Sequence, residues 1–415
     1  MRAPWKPHLV DMGASANVDD TGRTSVVWLT AVAWLSLIVF AATSTLMSVS
    51  LKSIGTDLEV GYGMRGTLAL ARAFVLAGST FILGICADRI GKRPLLAVGM
   101  FVVAVGLVCV RLTDGLTGLV GGTMVIGLGL GSVEALVSPL VADLHPDNVD
   151  RQMNVLHGFF PAGVVLASLL IGRQLDSGVH WRVPFGVVAL PAVLVGVMYA
   201  LGRYPESAAE RKVVPISVLQ VLRQPIFWAL AAAMMLTAGC EGSLIYWSPN
   251  FIQDTYGAMA YVAAWGLTIF TGAMAGGRFL TGYATRYVRP SRIMLVTAAL
   301  GVVTTLLLSL VPHLAFSMVM LGLSGLFMAC FWPSVLAVAN RRIAAGSATL
   351  LAMLSVAGIA GFGLIPYLIG TLSDHVGLRL GLLVIPVGLV LAGIALAAVV
   401  LMDRDRDEVV PNSAQ

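Results

Sequence analysis

Apolar residues fall in twelve long runs broken by short polar stretches, near residues 26–51, 64–87, 95–112, 116–143, 153–175, 183–202, 226–253, 259–285, 292–311, 313–340, 346–373 and 378–402. Most come close to the roughly 20 residues that a helix needs to cross the hydrocarbon of a bilayer. They are rich in Leu and Ala with scattered Gly, and they lack the alternation and the shorter length, about ten residues, of barrel strands. The pattern predicts an all-α membrane protein with twelve transmembrane helices. The first run follows about 25 polar residues and exceeds the apolar core of a secretory signal, so it reads as a retained span. Pro139, Pro161, Pro333 and Pro366 lie inside runs and should bend them around a central cavity.

The runs also repeat. GICADRIG (84–91) precedes GYATRYVR (282–289) by 198 positions, and IGRQLDSG (171–178) precedes IGTLSDHV (369–376) by the same 198. Two landmarks at one offset predict a duplicated six-helix unit, with an N-terminal bundle over 26–202 and a C-terminal bundle over 226–402. Residues 203–225 (RYPESAAERKVVPISVLQVLRQP) are polar, basic and punctuated by proline, as a linker is, and 1–25 and 403–415 form tails. Two such halves around a central path describe a secondary transporter.

Charge adds orientation. Only 11% of the chain is charged against 58% hydrophobic, where a soluble protein carries about 25% charged residues. Of the 26 Lys and Arg residues, eighteen fall on the side of the two tails and the linker, and six (Lys52, Arg65, Arg111, Arg173, Arg182 and Arg379) on the other. That asymmetry predicts a multi-pass protein of the inner (plasma) membrane with both termini cytoplasmic. The net charge of +5 then reflects orientation, and nucleic acid is not implied as a partner. Cys86, Cys109, Cys240 and Cys330 lie in apolar runs without CxxC spacing, which suggests neither a metal site nor a disulfide framework. GLGLG (127–131) has no strand before it and so lacks the context of a nucleotide-binding loop. Its glycines, with Gly118 and Gly122, instead suit close helix packing.

Charges at depth are the candidate chemistry, because each costs several kcal/mol unless it faces protein or water. Glu134 stands in GSVEALVSP about 13 Å from the cytoplasmic end near Asp143, on a face with Gly127, Gly131 and Ser138. It reads as a functional carboxylate or as one paired structurally with an Arg. Glu241 lies fifteen residues into the seventh run, with Thr237 and Ser248 on its face and Tyr246 and Trp247 following. A carboxylate beside aromatics suits a polyhydroxylated ligand, although Trp247 also fits an interfacial belt. Asn154 and His157 share a face of the fifth run. There His157 either shares a proton with Glu134, binds a hydroxyl, or is a hydrogen-bonded core residue. Arg72 and Arg278 also lie within spans. Arg72 would neutralise Glu134 or Glu241 or snorkel outward, and Arg278 would pair near the cytoplasmic end or hold a carboxylate. Asp176 and Asp374 recur in the outer loops, where they cap helices or form an outer gate.

GICADRIGKR (84–93), between the second and third runs, resembles the signature loop of the major facilitator superfamily, with Gly84, Asp88, Arg89, Gly91, Lys92 and Arg93 in place. The resemblance implies alternating access by rocking of two bundles, with Asp88, Arg89, Gly91 and Arg93 in a cytoplasmic gate whose charge-assisted bonds form in one state and break in the other. Arg286 occupies the position of the acid in the second copy, so the same latch is not expected there. Within the superfamily the chain is most similar to the fucose:proton symporter family. Glu134 with Pro139, then Arg151, Asn154, His157, Phe159 and Gly163, then Glu241 and Trp247 carry that likeness. It implies Glu134 and Glu241 in proton coupling, and Glu134, Asn154, His157, Glu241 and Trp247 in substrate binding. The first run, ATSTLMSVS (42–50), lacks the acid of the fucose permease but offers Thr43, Ser44, Thr45 and Ser48 for hydroxyls.

The expectation is therefore a transporter, functional as a monomer in the bilayer, taking up a sugar or similar small polar metabolite with protons. The rival is an exporter of drugs or a carrier of organic anions built on Arg278 with Arg72, and a membrane receptor or scaffold is a remote third. No cofactor or metal is implied. No nucleophile or phosphate cradle supports an enzyme.

Overall fold

The computed structural model describes residues 18–202, 218–343 and 348–409, and within these the side chains of 18–24, Asp88, Asp150, Asn154, Val218, 348–349 and 403–409 lie outside the description. The N-terminal half consists of α1 (Val18–Asp57), α2 (Tyr62–Ile90), α3 (Lys92–Leu112), α4 (Leu116–Leu144), α5 (Val149–Asp176) and α6 (Arg182–Leu201). A short α7 (Val218–Leu222) precedes the C-terminal half. That half holds α8 (Pro225–Tyr256), α9 (Ala260–Ala284), α10 (Pro290–Leu310), α11 (Leu314–Met328), α12 (Phe331–Arg342), α13 (Ala348–Val376), α14 (Leu378–Gly381) and α15 (Val384–Val409). Among the described residues there are 11 spans long and apolar enough to cross a membrane, α11 and α12 counting as one. The twelfth is α9, whose 25 residues suffice in length but whose glycines, Thr268, Thr271 and Arg278 dilute its apolar character.

Local sequence explains the breaks. One residue, Gly91, separates α2 from α3 with φ 89°, a left-handed backbone that favours glycine. The tenth run is continuous in hydropathy but divides at Ala329–Cys330. Pro333 removes an amide hydrogen there, and its ring would clash with the carbonyl four residues back, at Ala329. By contrast, Pro139, Pro161 and Pro366 sit inside unbroken helices.

Small residues set the packing within each half. On the α3–α4 seam a Cβ on Gly129 would lie 2.5 Å from the Gly99 carbonyl oxygen, so the two backbones touch. In the C-terminal half α8 packs on α13 and α15, and α9 on α11. The halves join chiefly along three pairs, α2 with α13, α5 with α9 and α1 with α8, with a slighter contact of α1 on α9. In contrast, α4 packs on α1, α2, α3 and α5, and α12 on α8, α10 and α13, in their own halves.

Candidate functional site

The bonds between the halves cluster at one end of the bundle, here termed the closed end. Asp176, the last residue of α5, accepts from the Ala260 and Tyr261 amides at 2.9 Å each. Asp374, near the end of α13, accepts from the Tyr62 amide at 2.7 Å and the Gly63 amide at 3.0 Å. Each acid thus satisfies orphan N–H groups at the start of a helix in the opposite half, α9 or α2, and complements its dipole. Four residues before each acid is a glycine that admits the partner helix. A Cβ on Gly172 would meet the Ala260 carbonyl oxygen at 3.0 Å, and one on Gly370 the Tyr62 carbonyl oxygen at 2.4 Å. The two IG…D segments are therefore clasps between the halves. The alternatives of cap and gate describe the same contact.

Between the clasps lies a polar cluster centred on Asp254 of α8. It pairs with Lys52 at 3.3 Å and Arg65 at 3.9 Å, accepts from the Tyr62 hydroxyl at 2.9 Å, and also accepts from Asn250. Arg65 donates to Asn250 Oδ1 at 3.1 Å, and Lys52 to the Gln253 carbonyl at 2.9 Å. Sequence reasoning assigned Lys52 and Arg65 no task and passed over Asp254. The available signal was that these two cations break the charge asymmetry of the loops.

Deeper in stand four ionisable side chains, Arg72 and Glu134 in the N-terminal half and Glu241 and Arg278 in the C-terminal half. Arg72 is ten residues, about 15 Å, into α2 from the closed end. Its Nη2 donates to Ser44 Oγ at 2.9 Å, Tyr246 is near its charge, and no carboxylate among the described residues pairs with it. Glu241, 5% exposed, lies opposite Arg278 with Oε1 to Nη2 at 3.8 Å, an ion pair without a hydrogen bond. Arg278 Nε is buried with no partner among the described residues. Glycines flank Glu241: a Cβ on Gly242 would strike the Phe362 ring, and one on Gly239 Ile365, so α13 packs tightly beside the acid. Glu134, half-buried on α4, has no ion pair among the described residues. One turn further on, Ser138 Oγ meets His157 Nε2 at 3.4 Å, and Arg278 is near enough for its charge to act on His157.

Several expected site residues stand elsewhere. Ser48 is buried and donates to the Ile245 carbonyl at 2.5 Å. Trp247 is 0% exposed, donates to the Pro366 carbonyl at 3.1 Å and packs edge-on against Tyr62 and Tyr246. Both belong to the closed seam, and their donors are spent on backbone. Thr43 and Thr45 bond back to Val39 and Ala41 of their own helix. Ser44 alone of the first-run hydroxyls receives a charged donor. His157 bonds Ser138 rather than Glu134. Arg72 contacts neither carboxylate that was expected to hold it. The side chains of Asn154 and Asp88 fall outside the description. In the signature loop Arg89, an expected gate residue, is exposed, while its neighbour Lys92 reaches Asp143 and the Pro139 carbonyl, and Arg93, also expected in the gate, the Ala200 carbonyl. Those bonds stay inside the N-terminal half.

A family profile for the Major Facilitator Superfamily matches residues 33–349 and 260–415. The multidrug resistance protein MdtM of Salmonella typhimurium is 27% identical over 247 residues, covering 56% of this chain and 59% of that protein. The match thus spans about three-fifths of that relative. A glucose/galactose transporter of Brucella abortus is 22% identical over 346 residues, 76% of this chain and 82% of its own. Among solved structures, a bacterial homologue of the human lysosomal transporter Spinster, inward-facing and unoccupied, superposes with TM-score 0.78 at 16% identity over 92% of this chain and 98% of that chain. The Escherichia coli fucose:proton symporter gives TM-score 0.64 at 17% identity over 90% and 99%. These structural likenesses concern the fold.

Proposed function

Because the chain belongs to the Major Facilitator Superfamily, a family of multi-pass membrane transporters and not enzymes, we propose that it takes up a small polar metabolite of the sugar class together with protons. The observation that carries this reading is Glu134, a carboxylate at membrane depth without a cationic partner among the described residues. An isolated charge there is costly, so the loaded carrier reorients with Glu134 protonated and releases the proton where the site meets water. Glu241 is the second coupling group: its pair with Arg278, at 3.8 Å, is loose enough for a proton or a substrate hydroxyl to replace. Ser44 and His157 line the path in this reading. With both termini in the cytoplasm the closed end faces outward, and the structure is the inward-facing member of an alternating pair. Asp88, Arg89, Gly91 and Arg93 then belong to the gate that closes in the other state. The relatives with sugar names support the substrate class, and the wider span of the glucose/galactose match favours it over drug export.

The test is uptake into proteoliposomes under an imposed pH gradient. E134Q is expected to lose gradient-driven accumulation by about 100-fold while retaining exchange of substrate across the membrane, since a permanently neutral residue still lets the carrier rock. Full accumulation by E134Q would refute the proton role.

A further inference from the structure

Arg72 presents a charge that nothing described in the fold neutralises. A guanidinium offers five N–H donors, and here one hydrogen bond is recorded, to Ser44. Ser44 is itself tied down, donating to the Phe40 carbonyl at 3.1 Å, so it is aligned to accept from Arg72. The arginine is seated rather than loose: a Cβ on Gly127 would lie 2.6 Å from the Arg72 carbonyl oxygen and 3.3 Å from its Cγ, so α4 makes room for its stem. Just above, the Tyr246 hydroxyl donates to the Arg65 carbonyl at 2.6 Å and roofs the site toward the closed end. Arg65 has its own acid in Asp254 and does not compete. The other intramembrane arginine, Arg278, has Glu241. Arg72 alone is left holding a neutral partner at a depth where charges are paired or functional.

We propose that Arg72 binds a carboxylate of the substrate, which makes the substrate a small hydroxylated monoanion, of the size of a hexuronate or aldonate, rather than a neutral sugar. The inference rests on the transport reading above and adds charge balance to it. Arg72 and Arg278 oppose Glu134 and Glu241. When Glu134 takes up its proton while Glu241 stays ionised against Arg278, these four groups leave the site with one net positive charge. A monoanion on Arg72 cancels it. The loaded carrier then crosses with no net charge at its centre, and the proton and the anion each make the other cheaper to bury. A planar guanidinium suits a carboxylate by a two-point contact that an ammonium does not match.

Proteoliposomes of the full chain given D-galacturonate, D-gluconate and D-galactose test this. Acid outside is expected to drive accumulation of an acid, with D-galactose at least about 100-fold weaker as a competitor, and a potential clamped by valinomycin and potassium leaves the rate unchanged. R72Q should lose about 100-fold in apparent affinity for the acid, and R72K, which keeps charge but not the fork, about 10-fold. Size-exclusion profiles and melting of R72K and S44A guard against misfolding, and S44A should weaken the acid several-fold in a folded protein. Proton-driven uptake of D-galactose that R72Q leaves intact, or acid uptake that responds to potential, would overturn the anchor while leaving proton-coupled transport standing. Substrate flux of any kind that ignores both the pH gradient and E134Q would remove the proton-coupled reading and the charge-balanced anchor with it.

Discussion

The two ends of the bundle are held in opposite ways. At the closed end the bonds cross between the halves: Asp176 to α9, Asp374 to α2, and Asp254 to Lys52, Arg65 and Tyr62. At the far end the bonds named above turn inward, Lys92 to Asp143 within the N-terminal half and Arg93 to the end of α6. Basic residues crowd the second end, yet the first is the one that is locked. The difference teaches that charge count says which way a carrier sits, while the partners of the charges say which state it is in. A rocking carrier needs each lock to be weak enough to break, and capping bonds to backbone amides, worth about 1 kcal/mol each, fit that need.

The comparison breaks most completely at the glycines. Gly370→Leu would drive a side chain into the Tyr62 carbonyl and the Gly66 backbone, which lie 2.4 Å and 3.2 Å from the first added carbon. Neither obstacle is a flexible side-chain tip, so overpacking of about 1–3 kcal/mol or more falls entirely on the closed-end state. Transport should fall by at least about 10-fold as that state is depopulated. Spin labels at Ser177 and His375, on a chain freed of its four cysteines, should separate in distance measurements. Unchanged distances would mean that α2 and α13 are not a working clasp.

The acids give a smaller and more graded effect. D176N and D374N each lose the charge that complements a helix start, at about 1 kcal/mol or less, a shift of about fivefold in the balance of states. Asp176 is half-buried whereas Asp374 is exposed, so solvent screens the second more, and D176N should be the stronger variant. The double variant should approach the sum, since the clasps share no residue. The same pair of spin labels reads both, and equal effects would contradict the assigned difference in screening.

How much of this was legible beforehand follows from which interactions have a sequence period. Helices, their number and the repeat at 198 positions show in hydropathy and in short words, because burial in lipid repeats along the chain. Intramembrane Glu134, Glu241, Arg72 and Arg278 were found for the same reason, each an interruption in an apolar run. Their partners were not legible. Arg72 lies 28 positions from Ser44, and Arg278 37 from Glu241, and no local rule selects one hydroxyl or acid over another. Trp247 and Ser48 read as ligand groups since aromatic and hydroxyl side chains serve binding and packing alike; that their donors go to the Pro366 and Ile245 carbonyls has no local sign in the sequence. A second mark of duplication also escaped notice. Arg182 donates to the Thr113 carbonyl at 2.7 Å and Arg379 to the Ser309 carbonyl at 2.8 Å, each closing the end of a helix in its own half. In the sequence both read only as charges on one side.

The least effect is expected at the unclasped end, and it carries a pH signature. His145, just beyond α4, shares a hydrogen bond of 2.8 Å with Thr30 on α1, and burial lowers its pKa below the ordinary 6.5. A native value below the unfolded one means that the unfolded chain binds the proton more readily. Stability present above about pH 6.5 is therefore lost as pH falls from there through the lower native value. Thermal melting of the detergent-solubilised protein should drop by a small step over that window, and H145Q, which keeps a hydrogen-bonding group but cannot titrate, should flatten it. Because the α1–α4 contact lies within one half, the step should appear in melting and leave the closed-end distances unchanged. A pH-dependent change in those distances that H145Q abolishes would instead couple this contact to the rocking motion and undo the division between the two ends.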